Sequence, residues 1–299
     1  MHWRLTKTGS LSLRQTIRKS SWILHAPFHT THLGHQLLRI ERINSQKTIS
    51  VVIAENNRNI VLHSSSNLTG PEIETVTWRV RRMLRLGDDF QPFINLIRSY
   101  PINTTQDITS PAIIRGGSLF EDIIRAATYI WNESGSINAS NFTWLVDHFG
   151  DPLPSNPTLH AFPEPDQILS NPESVITQII PATSDTIIHI ATLFAQQAPT
   201  IQAILEKELP SLELSKVLQN LLQLEDAPLS HVMLSLGRYD YIPSDTFAKQ
   251  RWHQYVRIST QPLIHDIQQH FASWQPWGGL AYWLWDWQPV TEMNMLQSQ

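Results

Sequence analysis

The sequence predicts an α+β fold, a small N-terminal antiparallel β domain followed by a mostly helical domain. Three observations carry this prediction. Between residues 36 and 63, three short β-branched runs are separated by polar turns. Near residue 71 the apolar spacing changes from the period of a strand to that of a helix, and it stays helical for most of the remaining chain. Nowhere do about 18 apolar residues run together, so no membrane-spanning helix is expected and a membrane is not a predicted partner.

The strands come first. QLLRIERI, KTISVVIA and RNIVLHS are joined by NSQ and ENN, residues that favour turns. PEIETVTWRVRRMLRL then places Ile73, Val76, Val80 and Leu84 on one helical face, with Pro71 suited to the first turn. This sets the predicted boundary: residues 1–86 form the β domain with its connecting helix, and residues 87–299 the helical domain. In SLFEDIIRAATYIW (118–131), Ser118 and Glu121 have the spacing of a capping box, and Leu119, Ile123, Ala126, Ala127 and Ile130 give the helix one apolar face. Residues 151–172 hold six prolines and read mostly as loop. Further helices are expected at 185–197, 200–208, 211–223, 229–236, 246–257, 261–271 and 277–287.

Composition excludes several chemistries. The chain has no cysteine, so disulfides, thiolate zinc sites, iron–sulfur clusters and a cysteine nucleophile are all excluded. The basic N-terminus lacks the apolar core of a secretory signal, which leaves the cytoplasm as the expected compartment. The net charge of −4 is unevenly distributed. Residues 1–125 hold 16 Lys and Arg against 9 Asp and Glu, net +7, and residues 126–299 hold 6 against 17, net −11. Any phosphate-binding face must therefore draw mainly on the first part of the chain.

The most informative stretch is LGRYDYIPSDTFAKQRW (236–252). Leu229, Val232, Met233 and Leu236 make an amphipathic helix that Gly237 is suited to stop. Pro243 delays the next helix, whose buried face would be Ala248, Trp252, Tyr255 and Val256, and so leaves Asp245 at its mouth. Two readings fit. Asp is a preferred helix cap, worth about 0.5–2 kcal/mol. A carboxylate at such a mouth also suits stabilisation of the cation that develops when a bond at a sugar's anomeric carbon breaks.

LLQLEDAPLSHVMLSLGRYDYIPSDTFAKQ (221–250) resembles the signature region of the helix-hairpin-helix (HhH-GPD) DNA glycosylases, whose essential aspartate follows a Pro-x pair as Asp245 follows Pro243 and Ser244. Three further blocks agree in order. SLFEDIIRA (118–126) resembles the family's slFEdlvraI helix, HAFPEPDQIL (160–169) its FPxP approach to a helix, and FASWQPWGGLAYWLWDW (271–287) its C-terminal PW…AYWLW helix. The strand-rich start is similar to that of the alkylpurine (3-methyladenine) branch. The resemblance covers nearly the whole chain. It implies a protein, expected to be monomeric and without cofactor or metal, that flips a damaged base, of the alkylated type, out of double-stranded DNA and assists its loss with Asp245. No lysine lies between Leu218 and Lys249, so the resemblance implies a monofunctional enzyme rather than one that forms a Schiff base and nicks the strand.

Departures from the family pattern motivate a rival expectation, a degenerate homologue kept for protein interaction or weak nucleic-acid binding. The family's Gly-rich hairpin grips a DNA phosphate with bare backbone N–H groups. Here the matching LEDAPLS (224–230) has no glycine, two acids and a proline. Each close carboxylate–phosphate pair costs about 1 kcal/mol even in water. At the end of the 118–131 helix, where relatives place Gln or Asn, stand Ile130 and Trp131, and Trp131 reads either as an intercalating wedge or as core. Tyr239 and Tyr241 read as base-pocket walls or as structure. Arg79, Arg82 and Lys249 are the expected DNA contacts, and the helix face of Arg79, Arg81, Arg82 and Arg85 reads as a phosphate patch or a solvated face. His25, His29, His32 and His35 lie close enough in sequence to raise zinc, but they read as surface or internally satisfied residues. Trp274, Trp277, Trp283, Trp285 and Trp287 read as packing.

Overall fold

The structure is a computed structural model. It describes residues 1–284 apart from 8–10, 21–22, 24, 31–34, 58, 100–112, 132–136, 244–247, 250–251 and 253–263, and within its elements the side chains of residues 19, 130, 131, 137 and 264 are also outside the description. A five-stranded antiparallel sheet opens the chain, followed by mostly helical structure. Its strands are β1 (His2–Thr6), β2 (Phe28–Thr30), β3 (Gln36–Asn44), β4 (Lys47–Asn56) and β5 (Asn59–Ser64), in the order β1-β5-β4-β3-β2. The three predicted strands are β3, β4 and β5. The short β1 and β2 have too little alternation to announce themselves, and they take the two edges.

The alternation of β4 and β5 explains the core. Ile49, Val51, Ile53, Ile60 and Leu62 are fully buried on one face. Val76, Val80 and Met83 of α2 (Gly70–Met83) join the same core, as does Leu13 of α1 (Leu13–Lys19). Helix α2 begins where Pro71 predicts, with the Glu72 carboxylate accepting from the Thr69 backbone N–H at 2.7 Å.

Contacts group the chain into two units, Met1–Gln91 with Thr109–Glu208, and Pro92–Ile108 with Leu209–Gln299. This line differs from the predicted boundary at residue 86. The reason is physical: β3 is joined to α4 (Leu119–Thr128) by buried ion pairs, so the sheet carries the first helices with it. The first unit also holds α5 (Ser140–Phe149), α6 (Pro165–Leu169), α7 (Pro172–Gln178) and the long α8 (Pro181–Glu206). Two predicted helices at 185–197 and 200–208 form this one run, with a non-helical Gln197 two residues before Pro199. The predicted loop at 151–172 contains β8 (Pro152–Leu153), β9 (Asn156–His160) and α6. The second unit holds α3 (Gln91–Ser99, less its first residue), α9 (Ser211–Leu222), α10 (Asp226–Ser235) and helices at Ile264–His270 and Gly278–Leu284.

Candidate functional site

The second unit builds the turn that leads to Asp245. Helix α10 stops at Gly237, whose φ of 84° is the left-handed conformation that glycine adopts most readily. The Arg238 N–H donates back to the Met233 carbonyl at 3.0 Å and closes the cap. Two long-range bonds then brace the turn. Ser211 Oγ donates to the Asp240 carboxylate at 2.7 Å, and Arg238 donates to the Leu209 carbonyl at 3.2 Å. On its other side lies the helix Gly278–Leu284. The Leu280 N–H donates to the Tyr239 carbonyl at 3.0 Å, and a Cβ at Gly279 would meet the Tyr241 carbonyl oxygen at 2.1 Å. Only glycine permits that approach.

Tyr239 stacks on Trp277, with ring centres 5.3 Å apart and planes at 21°. Phe93 meets the same Trp277 at 5.6 Å and Trp274 at 6.3 Å. Tyr239 is thus one ring of an aromatic cluster, and Tyr241 is half-buried with its carbonyl against Gly279. Ile242 and Pro243 are buried just before residues 244–247, and Ala248 and Trp252 are buried after them. Asp245 itself lies outside the described residues, as do Trp285 and Trp287, while Lys249 is exposed.

Helices α9 and α10 form the hairpin. Three residues join them, and the first, Gln223, is left-handed at φ 52°. Leu218, Leu222, Leu224 and Leu229 are buried. The helix-turn-helix shape is therefore present without the glycines. Its chemistry is different: Glu225 is exposed at the start of α10, and Asp226 accepts from Gln219 at 2.8 Å. Pro228 removes one of the backbone donors of the first turn.

In the first unit, a buried charge network occupies the start of α4. Ser118 Oγ accepts from the Glu121 N–H at 3.1 Å, half of the predicted capping box. The Glu121 carboxylate instead takes both guanidinium arms of Arg39, at 3.0 and 2.6 Å, together with Arg125 at 2.6 Å and the Gly117 N–H at 2.7 Å. Burial would raise the Glu121 pKa, but Arg39 and Arg125 outweigh it and hold it at about 2. Burial likewise opposes the Arg39 charge, yet Glu121 and Glu41 raise its pKa. Arg125, fully buried, lies over the Phe28 and Phe142 rings at 5.6 and 5.0 Å.

This network engages Arg79 and Arg82 of the predicted basic face, and Arg85 is paired nearby, while Arg81 is exposed. Arg79 donates to Glu41 at 2.8 Å and to the Arg42 carbonyl at 2.7 Å. Arg82 donates to Asp122 and to the Gly116 carbonyl, both at 2.6 Å. Arg85 is buried and paired with Asp88. These cations face carboxylates within the unit rather than forming an open phosphate patch. The partners, Glu41 and Asp122, went unrecognised because each is separated by tens of residues from its arginine. Their one sequence signal is polar residues at strand and helix positions that the apolar pattern would fill.

Trp131 does not continue the helix as predicted. Helix α4 ends at Thr128, and Ile130–Trp131 form β6, paired with β7 (Ile137–Asn138). Consecutive β-branched and aromatic residues favour the strand. The Trp131 side chain lies outside the description. His25 and His29 are half-buried and His35 is exposed, while His32 lies outside the described residues. Among the described residues no group of three or more His, Asp or Glu is placed to hold a metal ion.

No protein-family model matches the sequence, and no curated protein matches it. Solved structures do match in fold. The chain is similar to a 3-methyladenine DNA glycosylase from Archaeoglobus fulgidus, with a TM-score of 0.68 at 15% identity over 94% of this chain and 96% of that one. It is similar to MBOgg1, solved in complex with a low-affinity DNA ligand, with a TM-score of 0.65 at 13% identity over 95% and 93%. The apo 8-oxoguanine glycosylase/lyase from Clostridium acetobutylicum matches with a TM-score of 0.61 at 14% identity over 87% and 88%. The chain has the fold of these DNA glycosylases.

Proposed function

We propose that this protein is a monofunctional DNA N-glycosylase that removes a damaged base, of the alkylated type, from duplex DNA. The observation that carries the reading is the braced turn from Gly237 to Pro243. It stands on a glycosylase fold matched over 94% of the chain. The turn is anchored at Ser211, Leu209 and Gly279, a large investment of contacts in one short loop whose next ionisable side chain is Asp245. Departure of a base from the anomeric carbon leaves positive charge on the sugar. A fixed carboxylate lowers the energy of that state, and water completes the substitution. With no lysine between Leu218 and Lys249, that segment supplies no amine for a Schiff base.

Base release from a panel of lesion-bearing duplexes tests this. The wild-type chain should release a base from at least one duplex, and Asp245→Asn should release none. Full activity in that variant would remove Asp245 from the role.

A second reading rests on a specific observation. Glu225 and Asp226 stand at the turn that resembles the family's phosphate-gripping hairpin, and Arg79 and Arg82 are engaged internally. A degenerate homologue serving as a non-enzymatic interaction protein accounts for both. Duplex binding measured across salt separates the readings. A steep fall in affinity with salt supports several phosphate contacts, and no binding even at low salt supports the rival.

A further inference from the structure

We propose that a groove on α5 is a docking site for a cationic side chain, an arginine or lysine borne by a partner protein. The groove lies within the first unit, is broadly open to solvent, spans about 730 Å³, and is lined by His25, Asn138, Thr143, Trp144, Asp147 and His148 among others. That volume is in the range of small-ligand sites and exceeds one side chain, which leaves room for the backbone that would carry it.

The charge balance selects the ligand. Among the described residues, Asp147 is the one formally charged residue in the lining, and no described lysine or arginine lines the groove. Its side chain is 51% exposed, and His160 Nδ1 is 3.7 Å away, too far for a hydrogen bond. Burial, with help from Arg125, lowers the pKa of His25, and burial outweighs Asp147 to lower that of His29. The Arg125 charge is itself matched by Glu121 at 2.6 Å. Among the described lining residues the wall therefore presents one carboxylate, Asp147, beside the Trp144 indole.

Beside that carboxylate stands an ordered aromatic wall. Trp144 stacks on His148 at 4.8 Å and 14°, and meets Phe149 edge-on at 5.7 Å. Residues 144, 147 and 148 share one face of α5 at three- and four-residue spacing. A carboxylate next to an indole suits a guanidinium, which stacks and donates at once, and it suits an ammonium by charge. The same carboxylate repels a phosphate, so charge complementarity favours a basic peptide over a nucleic acid. The Asn138 side-chain oxygen already accepts from the Ser140 N–H at 2.9 Å and hydroxyl at 2.6 Å, which fixes the wall at the groove's end.

The test is a titration of the full chain with N-acetyl-arginine amide, using the neutral N-acetyl-citrulline amide as its counterpart. Binding is followed through the Trp144 indole N–H resonance, assigned by its loss in Trp144→Phe. The arginine derivative should shift that resonance saturably. The citrulline derivative should bind about tenfold more weakly or not at all, and Asp147→Asn should lose a similar factor while Asp147→Glu retains binding. Equal responses to the two derivatives, unchanged binding in Asp147→Asn, or tighter binding of deoxyguanosine monophosphate at the same resonance would each overturn the proposal.

Discussion

Two helices in this protein begin with a pair of acids, and the two pairs have opposite fates. At the start of α4, Glu121 and Asp122 are each 1% exposed and face Arg39, Arg125 and Arg82. At the start of α10, Glu225 is exposed and Asp226 accepts from the Gln219 amide. Both patterns are favourable locally, because an acid offsets the positive end of a helix. What separates them is the rest of the chain. β3 and α2 bring guanidinium groups to α4, and among the described residues no ion pair reaches Glu225 or Asp226. An acid at a helix mouth is thus a structural anchor in one place and an electrostatic barrier to anions in the other.

The largest expected effect breaks the first member of this pair. Glu121→Gln leaves Arg39 and Arg125 buried without their shared charge, and should cost about 3–5 kcal/mol, read as a lower denaturant midpoint. Replacing Arg39 and Glu121 together with apolar residues of similar volume should cost less than Glu121→Gln alone. A double-variant loss equal to the sum of the two single losses would show that the pair is not coupled.

Acid titration sharpens the same contrast. Glu121 has a folded pKa of about 2 against an ordinary 4.5, so its stabilisation is full above 4.5 and drains as pH falls toward 2. His25, His29 and His270 are held below their ordinary 6.5, chiefly by burial. The unfolded chain therefore binds protons there first, and stability begins to fall below about pH 6.5. Unfolding free energy measured from pH 8 to 3 should decline in two stages. Glu121→Gln should flatten the lower stage and leave the upper one in place.

At the hairpin the expected effect is smaller and concerns affinity. Glu225→Gln with Asp226→Asn removes two charges from the start of α10. Each is worth about 1 kcal/mol against a nearby phosphate in water, so duplex affinity at low salt should rise by up to about thirtyfold if DNA approaches this turn. An unchanged affinity would place the DNA contact elsewhere and dissolve the functional side of the comparison.

The sequence made local patterns legible and distant partners illegible. β3, β4 and β5 were readable because their alternation is set by a single buried face. The stop at Gly237 was readable because left-handed backbone favours glycine. The four ordered motif blocks pointed to a glycosylase fold, which the solved structures share. Arg79 and Arg82 misled, because a basic helix face looks the same whether it meets solvent or carboxylates 38 and 40 residues away. Trp131 misled because apolar residues continued the helical spacing past the point where the backbone turned to a strand. The Trp144–Asp147–His148 groove gave no sequence signal, since its other wall, His25, comes from the far end of the unit.

The smallest predicted effect concerns the turn between α9 and α10 itself. Gln223 holds φ 52° and ψ 42°, a left-handed conformation that costs a side-chain-bearing residue roughly 1–2 kcal/mol. Glycine relieves that strain but gives back part of the gain through the freer unfolded chain. Gln223→Gly should therefore stabilise the protein by about 0.5–1 kcal/mol, seen as a small rise in Tm. It also restores a glycine at the hairpin without touching its charges, and so isolates shape from electrostatics. If duplex binding strengthens in Gln223→Gly as much as in the charge-neutralised variant, close backbone approach limits the hairpin. If only charge removal helps, the two acids of α10 are the barrier, and the contrast with α4 is one of charge alone.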